Sequence, residues 1–74
     1  MPMVLVEISE ERKASLRAGD LLYPMPGVSN GGPWKVLSTH GEGRFAEVVA
    51  ERDGLEHAFW AKYIDRIFAV EEMA

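Results

Sequence analysis

The chain has no cysteine. That excludes disulfide staples and any thiolate-bound metal. Histidine is scarce too, with only His40 and His57. They have no helical spacing and no cysteine partners, so His40 beside Glu42 is a weak metal signal and no metal site or cofactor is expected. Basic residues are few: eight Lys and Arg stand against twelve Asp and Glu, for a net charge of -4. A duplex-nucleic-acid binder carries a basic face, so nucleic acid is not an expected partner. The acids are spread along the chain, so no DNA-mimicking face is evident either. No apolar run approaches the roughly 18 residues of a membrane span. Met1 to Val6 lacks the basic start of a signal peptide and meets Glu7 early. The expectation is a cytoplasmic protein with no membrane partner.

Seventy-four residues read as one domain over 1–74, with a core at about 16–70 and a flexible tail at 71–74. A domain this small buries about 60% of its unfolded-chain surface. Without disulfides or a metal, self-association is the remaining common support.

The organising stretch is Phe45 to Trp60. Asp53-Gly54 lies between two apolar, β-forming runs, a strong hairpin signal because glycine reaches positive φ without steric cost. A two-residue loop pairs Arg52 with Leu55, Ala50 with His57 and Val48 with Phe59, and sets Glu51 against Glu56. A three-residue loop with Gly54 as a bulge avoids that like-charge pair and sets Val48 against Ala58 and Ala46 against Trp60. The sequence leaves both open. Under either, both faces of the hairpin carry large apolar groups, so a surplus face must be covered by the chain's own segments or by another molecule.

Upstream, Val4 to Ile8 reads as a short strand placed at a sheet edge or added to a partner subunit. Ser9 reads as a helix N-cap with Glu10 and Glu11 at the positive end of the dipole, and Gly19 as its end. Leu21 to Tyr23 feeds a strand that Pro24 and Pro26 stop. Residues 24–33 form a long loop. Trp34 to Thr39 is a strand with Trp34, Val36 and Ser38 on one face. Lys62 to Arg66 reads as a single tight turn, Ile67 to Val70 as the last strand, and Glu71 to Ala74 as a fraying end.

Two segments carry a family likeness. Leu16-Arg17-Ala18-Gly19-Asp20-Leu21-Leu22 resembles the Gly-Asp-x-hydrophobic opening of SH3-like barrels. Phe59 to Ile67 is similar to their closing element, where a Tyr-hydrophobic-acidic turn leads into the last strand, and Trp34-Lys35-Val36 sits where such barrels begin a middle strand. The likeness covers most of the span from Leu16 to Val70. It implies a mainly β fold: a five-stranded SH3-like barrel with a short N-terminal strand and a helical turn. Proline-peptide binders of this superfamily open with an Ala-Leu-Tyr-Asp-Tyr-like segment, which is missing here, and carry a proline where this chain has Ala61. The plasmid-borne type II dihydrofolate reductases are similar in size. They build a shared pore from a Val-Gln-Ile-Tyr segment, whereas Phe59 to Tyr63 holds no glutamine, so that activity is not carried over. A Tudor-like aromatic cage would draw on Tyr23, Trp34, Trp60 and Tyr63.

Catalytic patterns are weak. Gly41-Glu42-Gly43-Arg44 has no helix behind it, and Glu42 would repel phosphate. Thr39 and His40 are strand neighbours that point to opposite sides, so no triad forms from them. Glu47 and Glu51 lie about 13 Å apart on an extended strand, too far for one acid–base site. The candidate ligand- or partner-binding set is Tyr23, Met25, Trp34, Trp60 and Tyr63, because Tyr and Trp join an apolar body to a polar tip. The expected function is a small non-catalytic binding module that self-associates or contacts another protein, with a small ligand as a further option. One alternative is a small oligomeric enzyme with a site shared between subunits, lined by Lys35, His57 or Tyr63. Another is a regulator, carried by a mobile element, of a host protein or nucleic-acid complex.

Overall fold

A computed structural model describes residues 2–28 and 30–73. Six strands form one antiparallel sheet: β1 (Met3–Glu7), β2 (Leu21–Pro24), β3 (Trp34–His40), β4 (Glu47–Arg52), β5 (Leu55–Trp60) and β6 (Phe68–Met73). Their order is β1-β6-β2-β3-β4-β5. Two short helices, α1 (Glu10–Ser15) and α2 (Ala61–Ile67), and a 3-10 turn at Gly43–Phe45 complete it. The five strands expected between Leu16 and the end of the chain are β2 to β6. The N-terminal strand makes a sixth by pairing with β6. Among the described residues β1 and β5 do not pair with each other, so the sheet is open in its hydrogen bonding. No helix among these residues is long and apolar enough to cross a membrane.

The Asp53-Gly54 turn decides the hairpin register. Asp53 sits at φ 54° and Gly54 at φ 81°, the two positive values of a two-residue turn whose twist matches the flanking strands. Arg52 pairs with Leu55, Ala50 with His57 and Val48 with Phe59. The like-charge pair Glu51–Glu56 is present, and Lys35 is Glu51's other cross-strand neighbour.

Several local expectations are corrected. A bulge between Val36 and Ser38 adds a residue to β3, so Ser38 stands opposite Val49 and leaves the face shared by Trp34 and Val36. Phe45 lies in the 3-10 turn and not in the strand. The turn expected at Lys62 to Arg66 is a seven-residue helix that takes in Ile67, because Ile64 is fully buried and holds it against the sheet. Glu71 to Met73 do not fray; they pair with Leu5, Val4 and Met3. Ala74 is outside the described residues.

Helix α1 begins as its sequence predicts, with the Ser9 hydroxyl oxygen accepting from the Arg12 N–H at 3.1 Å. It stops at Leu16 and not at Gly19, since Leu16 turns to extended backbone and is buried. Gly19 instead serves the turn at Arg17–Asp20, where Asp20 N–H donates to the Arg17 carbonyl at 3.1 Å. The core gathers Ile8, Leu16, Leu22, Val36, Val48, Ile64, Phe68 and Val70, with Val6, Trp34, Phe59 and Ile67 packed at its margin.

Candidate functional site

The start of α2 is tied to the 3-10 turn by the Ala61 N–H, which donates to the Ala46 carbonyl at 2.9 Å. This places Arg44 and Phe45 beside the first turn of α2. Lys62 and Arg66 are four residues apart in that helix and so share a face, with Tyr63 next to them. Five side chains then alternate. The Arg44 guanidinium lies 5.7 Å from the Phe45 ring centre, and Lys62 Nζ lies 5.5 Å from that ring. Lys62 Nζ is also 4.8 Å from the Tyr63 ring, and the Arg66 guanidinium is 5.7 Å from Tyr63 on its own account. The result is a ladder, Arg44–Phe45–Lys62–Tyr63–Arg66. Each exposed cation–ring contact contributes about 0.5–1 kcal/mol. The ladder's larger effect is to hold three cations in a row.

None of those three cations has a carboxylate within ion-pair distance among the described residues. Phe45 is 65% exposed and Tyr63 43%, and Trp60 on the adjoining strand end is 45% exposed. Arg44, Lys62 and Arg66 border a cleft of about 750 Å³ that runs toward α1. On its far side Lys13 Nζ bridges Glu10 at 3.1 Å and Asp65 at 3.4 Å, pinning α1 to α2. The second carboxylate oxygen of Asp65 is buried without a hydrogen-bond partner.

The five residues expected to form one site fall in separate places. Trp60 and Tyr63 are at the ladder end. Tyr23 is half-buried on β2, where its hydroxyl donates to the Glu71 carboxylate. That bond, together with burial and the Glu71 charge, raises the Tyr23 pKa above its ordinary value of 10.0. Met25 follows β2, and its N–H donates to the Ile67 carbonyl at 2.9 Å. Trp34 belongs to an aromatic series on the core face. Its ring meets Phe59 edge-on at 5.4 Å and His57 at 6.4 Å, and Phe59 meets the buried Phe68 at 5.0 Å. The Arg52 guanidinium covers the Trp34 ring at 4.7 Å and donates to the Asn30 carbonyl at 3.0 Å. The Tudor-like cage that Tyr23, Trp34, Trp60 and Tyr63 would form is therefore not assembled.

Arg44, Phe45, Lys62 and Arg66 were not among the residues expected to form a site. The signal was the spacing of Lys62 and Arg66, which becomes one face only when Ala61–Ile67 is read as a helix and not as a single turn. Elsewhere, the Ser38 hydroxyl lies 3.0 Å from His40 Nε2. His40 has no carboxylate hydrogen bond among the described residues, so the orienting member of a triad is missing. Those residues also hold no group of three His, Asp or Glu placed for a metal ion. Compared with known protein families, curated proteins and solved structures, the chain matches none.

Proposed function

We propose that this chain is a small non-catalytic binding module, built as an SH3-like barrel, that self-associates and takes an acidic peptide segment of a partner protein on the Arg44–Arg66 ladder. One observation carries the reading. In a chain of net charge -4, three cations without carboxylate partners among the described residues are held in line by two exposed rings beside an open cleft. The barrel reading draws support from Tyr63-Ile64-Asp65, which sits in the helix leading into the last strand, and from the return of that strand beside β2. Self-association draws support from the apolar side chains left exposed on so small a domain.

The ladder favours carboxylates over a nucleic-acid strand. Phe45 and Tyr63 each already hold two cations near the ring, contacts that a stacking base would have to displace. A phosphate backbone continuing past the ladder meets Glu42 and a chain of net charge -4, whereas a short acidic segment confined to the three cations does not run on past them.

The test is fluorescence anisotropy with a labelled acidic peptide, with oligothymidylate as the second probe. The peptide is expected to bind and to be released as salt rises toward the molar range, where charges are screened within about 3 Å. The double variant Lys62→Glu, Arg66→Glu is expected to lose at least about tenfold in affinity, a difference of about 1.4 kcal/mol. Equal binding by the variant, or a preference for oligothymidylate, overturns the reading.

A further inference from the structure

One end of the sheet is β1, and its free side can be read from the hydrogen-bond pattern. Bonded and non-bonded pairs alternate along antiparallel strands. Met25 N–H donates to the Ile67 carbonyl. In the register that pairs Tyr23 with Ala69 and Pro24 with Phe68, Ala69 is therefore bonded to β2, and the backbone groups of Phe68 and Val70 face β1. Val6 and Val4, opposite Val70 and Glu72, direct their own N–H and C=O groups to β6. Those of Met3, Leu5 and Glu7 point away from the sheet and are free among the described residues.

This edge is apolar on both faces. Met3 is 51% exposed, Val4 42% and Leu5 48%, and Met73 opposite Met3 is 68% exposed. Within β1 there is no lysine, no proline and no bulge, the devices that usually blunt an edge strand, and Glu7 is its one charge.

Resting on the self-association proposed above, we infer that β1 pairs antiparallel with β1 of a second copy, about a two-fold axis through Leu5. Of the registers that keep side chains on matching faces, this one uses every free backbone group. Leu5 stands opposite Leu5, Met3 opposite Glu7 and Val4 opposite Val6. It sets each Glu7 against a methionine and keeps the two acids about 13 Å apart. Sliding the strands by two residues toward Val6 halves that separation, and sliding them the other way leaves Glu7 unpaired; both lose bonded pairs. The edge thus pairs with itself in hydrogen bonding while keeping its two acids apart. The contact is isologous and closes at two copies, joining two six-stranded sheets into one.

The experiment combines light scattering behind a sizing column with single-cysteine cross-linking, which the cysteine-free chain makes clean. The unmodified chain is expected to run at twice its 8.3 kDa mass. Across the axis a bonded pair has its Cα atoms about 5.5 Å apart, within disulfide reach. Leu5→Cys is therefore expected to oxidise to a covalent dimer, whereas Val4→Cys, facing Val6, stays uncrosslinked. Leu5→Pro removes an N–H that β6 does not use, and is expected to raise the dissociation constant at least about tenfold, the effect of losing two net hydrogen bonds. If circular dichroism shows that variant unfolded, Leu5→Lys, which opposes two like charges at the axis, is expected to do the same. A dimer in which Leu5→Cys does not cross-link and Leu5→Lys still dimerises overturns this interface and leaves self-association standing. A monomer at all concentrations overturns both.

Discussion

Tyr23 shows how one side chain can carry a pH dependence. Its hydroxyl donates to Glu71 across the β2–β6 pair, and its pKa is raised in the fold, first by that hydrogen bond and then by burial and the Glu71 charge. A raised pKa means that the folded state favours the protonated phenol. The stabilisation is fully present below the ordinary value of 10.0 and is lost as pH rises through the folded value. Tyr23→Phe is expected to cost no more than about 1 kcal/mol at neutral pH, the usual net value of one hydrogen bond. The gap between the two proteins should then close in alkaline solution. Urea melts from pH 7 to pH 11 check this; a gap that stays constant to pH 11 refutes it. Tyr23 was expected at a binding site because of its residue type. Sequence shows the polar tip of a tyrosine but not the acid, 48 positions away, that meets it.

Among the elements, the β4–β5 hairpin was the most legible and α2 the least. Asp53-Gly54 signals a turn through two adjacent residues, and only the choice between two registers needed the structure. Gly54 at φ 81° has nothing within 4 Å of where a Cβ would sit. Gly54→Ala therefore introduces no clash, only the left-handed backbone penalty. It is expected to cost about 1–2 kcal/mol, seen as a lower urea midpoint with an unchanged slope; a midpoint within error of the parent counts against the turn as drawn. The Leu37 bulge was invisible for the opposite reason. Trp34, Val36 and Ser38 alternate as a regular strand would, and only pairing with Val49 shows that Ser38 has changed face. In α2 the sequence offers seven residues with no side-chain cap, and its helicity comes from burying Ile64 and Ala61, a tertiary effect.

Across the whole molecule, what sequence could not supply was every relation between distant segments. The ladder needs the turn at Gly43–Phe45 brought against α2. The sixth strand needs Met3–Glu7 brought against Phe68–Met73. Local propensity is silent on both, although the apolar surplus that follows from them was already visible in the hairpin and in Val4 to Ile8. Hence the aromatic residues do not converge: Trp60 and Tyr63 share an end with the cations, while Trp34 packs at the margin of the core.

The pairing of β1 with β6 also makes the chain nearly a closed ring. Met3 faces Met73 directly, so the order of connection around the fold is a matter of where the ring is opened. A circular permutant that joins residues 3 and 73 by a short flexible linker and opens between Gly31 and Gly32, in the exposed loop before β3, retains every strand pair described. It is expected to fold with a far-ultraviolet spectrum like the parent's and a modestly lower melting temperature. Failure to fold counts against residues 3 and 73 being close enough for a short linker to join. The same linker would cross the corner of the sheet beside Met3, one end of the proposed two-fold contact, so a permutant that folds but no longer dimerises would locate that contact independently of any substitution in β1.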